Sequence, residues 1–196
     1  VINSNRVKVD DFKGFLATLR AKPGQYNYGS AGNGTSHHLA GELLKQQTGT
    51  YIVNIPYRGA GPALQDLIAG NVDMMFDGLG SSAQHIRAGR IKPLAVASPK
   101  RTPAFPDVPT TAEVGVPEYV VSTWYGIWGI KGTPKDILDR MHAEVVKALA
   151  TPEVREIWAG NGSETHTMTQ ADFTKFLSSE IKRWAAVSKA YGAKLD

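Results

Sequence analysis

With 196 residues, 42% of them hydrophobic, and no cysteine, the chain is long enough to bury a core at the border between one domain and two. Disulfides, thiolate metal sites and cysteine nucleophiles are excluded. Its 22 basic and 18 acidic residues leave a formal charge of +4. They are interspersed rather than gathered into the basic stripe that nucleic acid selects, and no run approaches the roughly 18 apolar residues of a membrane span.

Chain order begins with Val1-Ile2-Asn3-Ser4-Asn5-Arg6, which carries no targeting signal and reads as the continuation of something longer. Residues 1–2, 25–28, 51–55, 72–76 and 94–97 are short β-rich runs. Between them the 3.6-residue period predicts helices near 10–21, 35–48, 60–69 and 80–88. Gly49, Gly70 and Gly89 stand where those helices should stop, since a left-handed residue there costs glycine least. The alternation predicts an α/β fold with a mainly parallel sheet, in which ligands gather at the carboxyl ends of the strands.

Prolines 103, 106, 109 and 117 mark an irregular connection with one short helix expected over 110–114. Residues 120–130 are aromatic, β-branched and broken by glycine, and read as a strand that changes lobes. Beyond it the pattern is helical. Thr133-Pro134 and Thr151-Pro152 each supply an N-cap followed by proline at the first helical position, and Thr169 with Asp172 forms a variant capping box. Phe173, Phe176, Leu177, Ile181, Trp184, Val187 and Tyr191 then make one apolar stripe. That stripe is expected either to fold over the first two thirds of the chain or, the reading preferred here, to pack against protein outside this chain.

The segment Tyr28-Gly29-Ser30-Ala31-Gly32-Asn33-Gly34-Thr35-Ser36-His37-His38 carries most of the chemistry. A strand ends at Tyr28, small residues follow, and a helix opens near Thr35. Several backbone N–H groups should therefore point at one spot that favours an anion, with Ser30, Thr35 and Ser36 adding hydroxyl donors. The alternative is a tight turn and helix cap with no ligand. The glycine spacing fits neither dinucleotide nor P-loop fingerprints. Loops with Tyr57, Arg58, Gly59 and Ala60, and with Asp77 and Gly78, should emerge on the same sheet edge. Arg58 reads equally as a solvated charge and Asp77 equally as an N-cap. Adjacent His37 and His38 point to different sides of a helix and make no i, i+4 metal pair. His38 is expected to be packed and hydrogen-bonded rather than a catalytic base. No nucleophile elbow is present, and the four tryptophans are expected in the core.

Tyr28 to Glu42, Pro56-Tyr57-Arg58-Gly59-Ala60-Gly61-Pro62-Ala63, residues 70–77, Asp107-Val108-Pro109-Thr110, Thr123-Trp124-Tyr125-Gly126, Gly132-Thr133-Pro134 and residues 150–155 together resemble the Bug, or TctC-like, substrate-binding proteins of tripartite tricarboxylate transport systems. The resemblance implies a type II periplasmic-binding-protein-like Venus flytrap. Residues 1–121 would be the second lobe, complete, and 122–196 a crossover strand and C-terminal helices of a first lobe that is otherwise missing. It implies a periplasmic carrier, no enzyme and without cofactor or metal, that closes on a small carboxylate and delivers it to a membrane permease. Ser30, Ala31, Gly32, Gly34, Thr35 and Ser36 would bind the carboxylate. Tyr57, Arg58, Gly59, Ala60, Asp77 and Gly78 would complete the half-site, Asp77 reading the variable end of the solute. The tail helices are expected to seek a second copy as a homo-oligomer or exchanged-helix dimer. The rival readings are an enzyme using the same cleft, for which no catalytic constellation is visible, and an interaction domain that binds no ligand.

Overall fold

The computed structural model describes residues 1–191; positions 192–196 of the expected tail lie outside them. Helix α1 (Phe12–Ala21) opens where the Asp11 carboxylate accepts the Gly14 N–H at 2.7 Å, a side-chain cap for an otherwise orphaned donor. Strand β1 (Asn27–Ser30), helix α2 (Ser36–Thr48), strand β2 (Val53–Pro56), helix α3 (Ala60–Ala69), strand β3 (Met74–Met75) and helix α4 (Leu79–Arg87) follow in strict alternation. The strands form a parallel sheet in the order β2-β1-β3. Pro56, which has no N–H to give a ladder, falls on the edge strand β2, as that deficit requires.

Successive strand residues face opposite sides of a sheet, and Met74 and Met75 show the result. Met74 joins Phe15, Leu19, Tyr28 and Leu44 in one core, while Met75 joins Ala63, Leu67, Val72 and Ile91 in the other. Helices α1 and α2 thus cover one face and α3 the other. Tyr28, fully buried, lies so close under α2 that a Cβ on Gly41 would stand 2.4 Å from its ring. Helix α2 ends on Gly49 at φ 63° and α3 on Gly70 at φ 82°; Gly89 at φ 66° follows α4. These are the left-handed stops the sequence predicts.

Several expected strands are shorter or differently paired. Residues 1–2 contribute one antiparallel bridge position, Ile2 against both Met74 and Lys92. The run 94–97 makes a single parallel bridge, Val96 to Thr110. Residues 110–114 form a turn instead of a helix, closed by a reciprocal pair. Thr110 Oγ1 accepts the Glu113 N–H and the Glu113 carboxylate accepts the Thr110 N–H, at 3.2 and 2.7 Å. The Arg101 guanidinium, 3.0 Å away, and then the Thr110 N–H hold the Glu113 carboxyl down at about 2. The bonds that cap a helix close a turn equally well when Gly115 and Pro117 follow.

Residues 120–130 are extended yet join no ladder among the described residues. β-propensity marks a chain that suits a sheet, and no strand among the described residues lies beside it to complete one. Helix α5 (Lys135–Ala150), helix α6 (Pro152–Gly160) and helix α7 (Gln170–Tyr191) follow. Pro152 occupies the first turn of α6 behind Thr151, as expected. In α5 the register moves by one: Pro134 is the N-cap, because the Thr133 hydroxyl donates instead to Ile130 O at 2.7 Å. Thr169 accepts the Asp172 N–H at 3.1 Å and donates to its carboxylate at 2.8 Å, so Thr169 caps α7 as expected while Asp172 meets its hydroxyl rather than its backbone N–H.

The apolar stripe of α7 divides. Val187 and Trp184 pack into the core on the α1/α2 side, with Gln46 donating to Val187 O at 3.3 Å. Phe173 and Phe176 instead cluster with Trp124 and Trp128, ring centroids 5.2–6.4 Å apart, and Ile181 is exposed. The stripe therefore packs partly within the chain, the alternative the sequence left open beside packing on other protein. Trp128 is 57% exposed, which corrects its placement in the core. The Tyr191 side chain lies outside the described atoms.

Candidate functional site

Each parallel strand runs into a helix at the same edge of the sheet, and none of the three helix starts carries a side-chain cap bond. The N-cap positions are Thr35 before α2, Gly59 before α3 and Gly78 before α4. A helix opens with N–H groups that have no partner in the helix, and the aligned peptide dipoles add a partial positive charge there. Three such ends at one edge make a region that receives negative oxygens.

The first loop partly closes on itself. Ser30 is fully buried, its Oγ 3.5 Å from Gly32 O. Thr35 turns its hydroxyl back to Gly32 O at 2.7 Å rather than capping α2, and the Gly34 N–H donates to His38 Nδ1 at 3.1 Å. The Thr35 hydroxyl and the Gly34 amide, both expected to meet a ligand, are thus engaged by the protein. Ala31, Gly32 and Ser36 are half-buried, and Ser36 opens the helix itself. Gly32 adopts φ 126°, and a Cβ there would lie 3.4 Å from Tyr57 O, so the conformation demands glycine and the first loop rests on the second.

The second loop is tied to the first by the Tyr57 N–H, which donates to Ser30 O at 2.9 Å. The Tyr57 phenol reaches Asp66 on α3 at 2.7 Å; burial and that carboxylate push it up to about 12. Its hydroxyl is thereby held by the protein. Arg58 is exposed, Gly59 adopts φ 110° and Ala60 begins α3.

In the third loop the Asp77 side chain is fully enclosed. Ser81 donates to Asp77 Oδ2 at 2.7 Å and to Gly78 O at 3.1 Å. His37 Nε2 lies 3.1 Å from Asp77 Oδ1, a close contact outside hydrogen-bond geometry. Asp77 is not the N-cap of α4, and its carboxylate joins the first turns of α2 and α4. Gly78 neighbours Thr123, whose Oγ1 is 4.0 Å from where a Cβ on that glycine would stand, so the start of the tail borders the same edge. The pairing of His37 with Asp77 was not legible in the sequence, because nothing local links residues 40 positions apart. Among the described residues no group of three or more His, Asp or Glu is placed to hold a metal ion.

A family model described as tripartite tricarboxylate transporter family receptor matches residues 4–193. Among curated relatives, a protein of the tcbD-tcbE intergenic region of Pseudomonas sp. (strain P51) is 40% identical over 92% of this chain and 54% of its own length. Protein BugT of Bordetella pertussis is 35% identical over 100% of this chain and 60% of its own. This chain therefore spans just over half the length of these relatives. Among solved structures, an R. palustris protein with adipate superposes at a TM-score of 0.91 with 32% identity, over 97% of this chain and 64% of that one. The periplasmic binding protein BugD gives 0.91 with 30% identity, over 98% and 65%. MatC of Rhodopseudomonas palustris with bound malate gives 0.85 with 30% identity, over 91% and 62%.

Proposed function

This chain belongs to the tripartite tricarboxylate transporter receptor family, and on that premise we propose that it binds a small carboxylate-bearing solute and passes it, in the periplasm, to the permease of such a transporter. Its fold is that of the Bug and TctC solute-binding proteins, a partial Venus flytrap. The observation that carries the reading is the convergence of three uncapped helix starts, those of α2, α3 and α4, on one sheet edge. Charge-assisted hydrogen bonds to such donors contribute about 1.5–3 kcal/mol each. The enclosed atoms His37 Nδ1 and Asp77 Oδ1 have no hydrogen-bond partner among the described residues, which leaves polar capacity at that edge. Adipate and malate in the neighbours support an acid as cargo. Of the candidate groups, the Ser36 hydroxyl, the exposed Arg58 guanidinium and the backbone N–H groups of Ala31, Gly59, Ala60 and Gly78 are left to a ligand in this reading.

A thermal-shift screen of dicarboxylates, tricarboxylates, aromatic acids and acidic amino acids tests this. A ligand at a hundredfold excess over Kd adds about 2.7 kcal/mol of stability. Substituting Ser36→Ala is expected to reduce the shift; silence from every acid overturns the reading. Turnover of a bound acid would make the protein an enzyme instead.

Residues 1–121 form the ligand-binding lobe in this proposal, and the segment from 122 onward belongs to the opposite lobe. Exposed Tyr125, Ile127, Ile130, Ile137 and Ile157 support a tail covered by further protein in solution. For this chain alone that protein is a second copy joined through the tail helices. Sedimentation as a monodisperse monomer overturns that part.

A further inference from the structure

Helix α2 begins at Ser36, so His38 is its third residue. Many helices place Glu or Gln here, the side chain reaching back to a backbone N–H just before the helix. In this protein the imidazole does that work: His38 Nδ1 accepts the Gly34 N–H at 3.1 Å. Gly34, at φ 76°, turns its amide toward the ring in a conformation that side-chain-bearing residues rarely adopt.

The ring is 2% exposed and backed by a polar assembly. Its Nε2 lies 3.8 Å from Glu42 Oε1. Tyr28 donates to that same oxygen at 3.0 Å, and Lys45 Nζ lies 2.8 Å from Oε2. A nitrogen that accepts a hydrogen bond carries no proton, so the imidazole is neutral with its hydrogen on Nε2, on the Glu42 side. Burial holds His38 below its ordinary value of 6.5, with Glu42 opposing and Lys45 assisting.

Neutrality is what distinguishes this cap from the usual one. A glutamate at the third position would satisfy a loop amide equally well, but it would set a negative charge in the first turn of α2. Such a charge is favourable to a helix start, and for the same reason it would compete with an acid for the same dipoles. We propose that His38 is a positioning residue that fastens the acid-binding loop through Gly34 while leaving the positive end of α2 unneutralised for the ligand. The inference rests on the carboxylate reading above and extends it. It also withdraws the Gly34 N–H from the direct ligand contacts.

Asparagine and aspartate separate the two parts of this role, because both place an oxygen about where Nδ1 stands and only one is charged. The full chain is titrated calorimetrically with adipate and with malate as wild type, His38→Asn and His38→Asp, and the Gly34 amide is followed by NMR in each. Both variants are expected to keep the amide protected from exchange. His38→Asn should bind within about threefold of wild type, and His38→Asp about tenfold or more weakly, the scale of one charge-assisted contact. Equal affinity of the two variants overturns the inference. So does the lack, in wild type, of a through-hydrogen-bond coupling between the Gly34 nitrogen and His38 Nδ1, a measurement that needs no variant to fold. A wild-type chain that shows the coupling but binds no acid overturns instead the carboxylate reading, and the charge argument with it.

Discussion

Helix α5 is longer and more amphipathic than α2, yet α2 buries His38, Ala40, Gly41, Glu42, Leu43, Leu44 and Thr48 while α5 buries nothing. The same contrast holds between the lobe of residues 1–121, whose sheet is covered on both faces, and the tail, where Val187 is the one buried apolar residue among those described. Amphipathicity states that a helix has a face to hide. Whether it is hidden depends on the presence of a partner surface, which is a property of the assembly. The lobe supplies its own partners, and the tail supplies only the Trp124–Phe176 cluster and the end of α7.

The sharpest way to break this comparison is a pair of matched truncations. Leu44→Ala, at a fully buried site, is expected to cost about 2–5 kcal/mol through lost burial and a residual cavity, whereas Ile157→Ala, at 58% exposure, should change stability by less than about 0.5 kcal/mol. Urea unfolding at protein concentrations low enough to keep copies apart measures both, and a large loss at Ile157 there would mean that the single chain itself covers the tail. A smaller effect tests how closely the lobe is packed. Gly41→Ala drives a methyl into the Tyr28 ring and should cost about 1–3 kcal/mol, together with the Tyr28–Glu42 hydrogen bond. The smallest effect concerns the connector. Glu113 is held at about 2 by Arg101; a depressed carboxyl favours the ordered turn above its ordinary value of 4.5 and loses that contribution as pH falls through about 2. An NMR titration of Glu113 in Arg101→Ala should show its midpoint move up toward 4.5, and an unmoved midpoint would assign the shift to Thr110.

Where the sequence reading succeeded, a local cause sat at the boundary. Helix α3 has the same limits in expectation and in fact because Gly59 and Gly70, both at positive φ, fix its two ends. Strand β1 starts two residues later than its apolar run suggests. The ladder continues into Gly29 and Ser30, residues of low β-propensity that the pairing with β2 recruits. At the site, the edge on which the loops meet was legible from the βαβ alternation. How their donors are shared was not. The Gly34–His38 bond depends on the backbone angle of one glycine, and the Asp77–His37 contact on the juxtaposition of two helix starts. Both lie beyond composition and spacing. The stranded β-pattern of residues 120–130 shows the converse, a local signal that no ladder among the described residues answers.

Lobe and tail are sewn together. Val121 N–H donates to Ala97 O at 2.8 Å, and on the returning helix Arg183 donates to Val120 O, with Val187 anchored in the core one turn further on. The Arg87 guanidinium donates to Gly160 O at 2.6 Å and Gln46 to Val187 O at 3.3 Å, so the tail is fastened at separated points along its length, as a strap is buckled, with Thr123 beside Gly78.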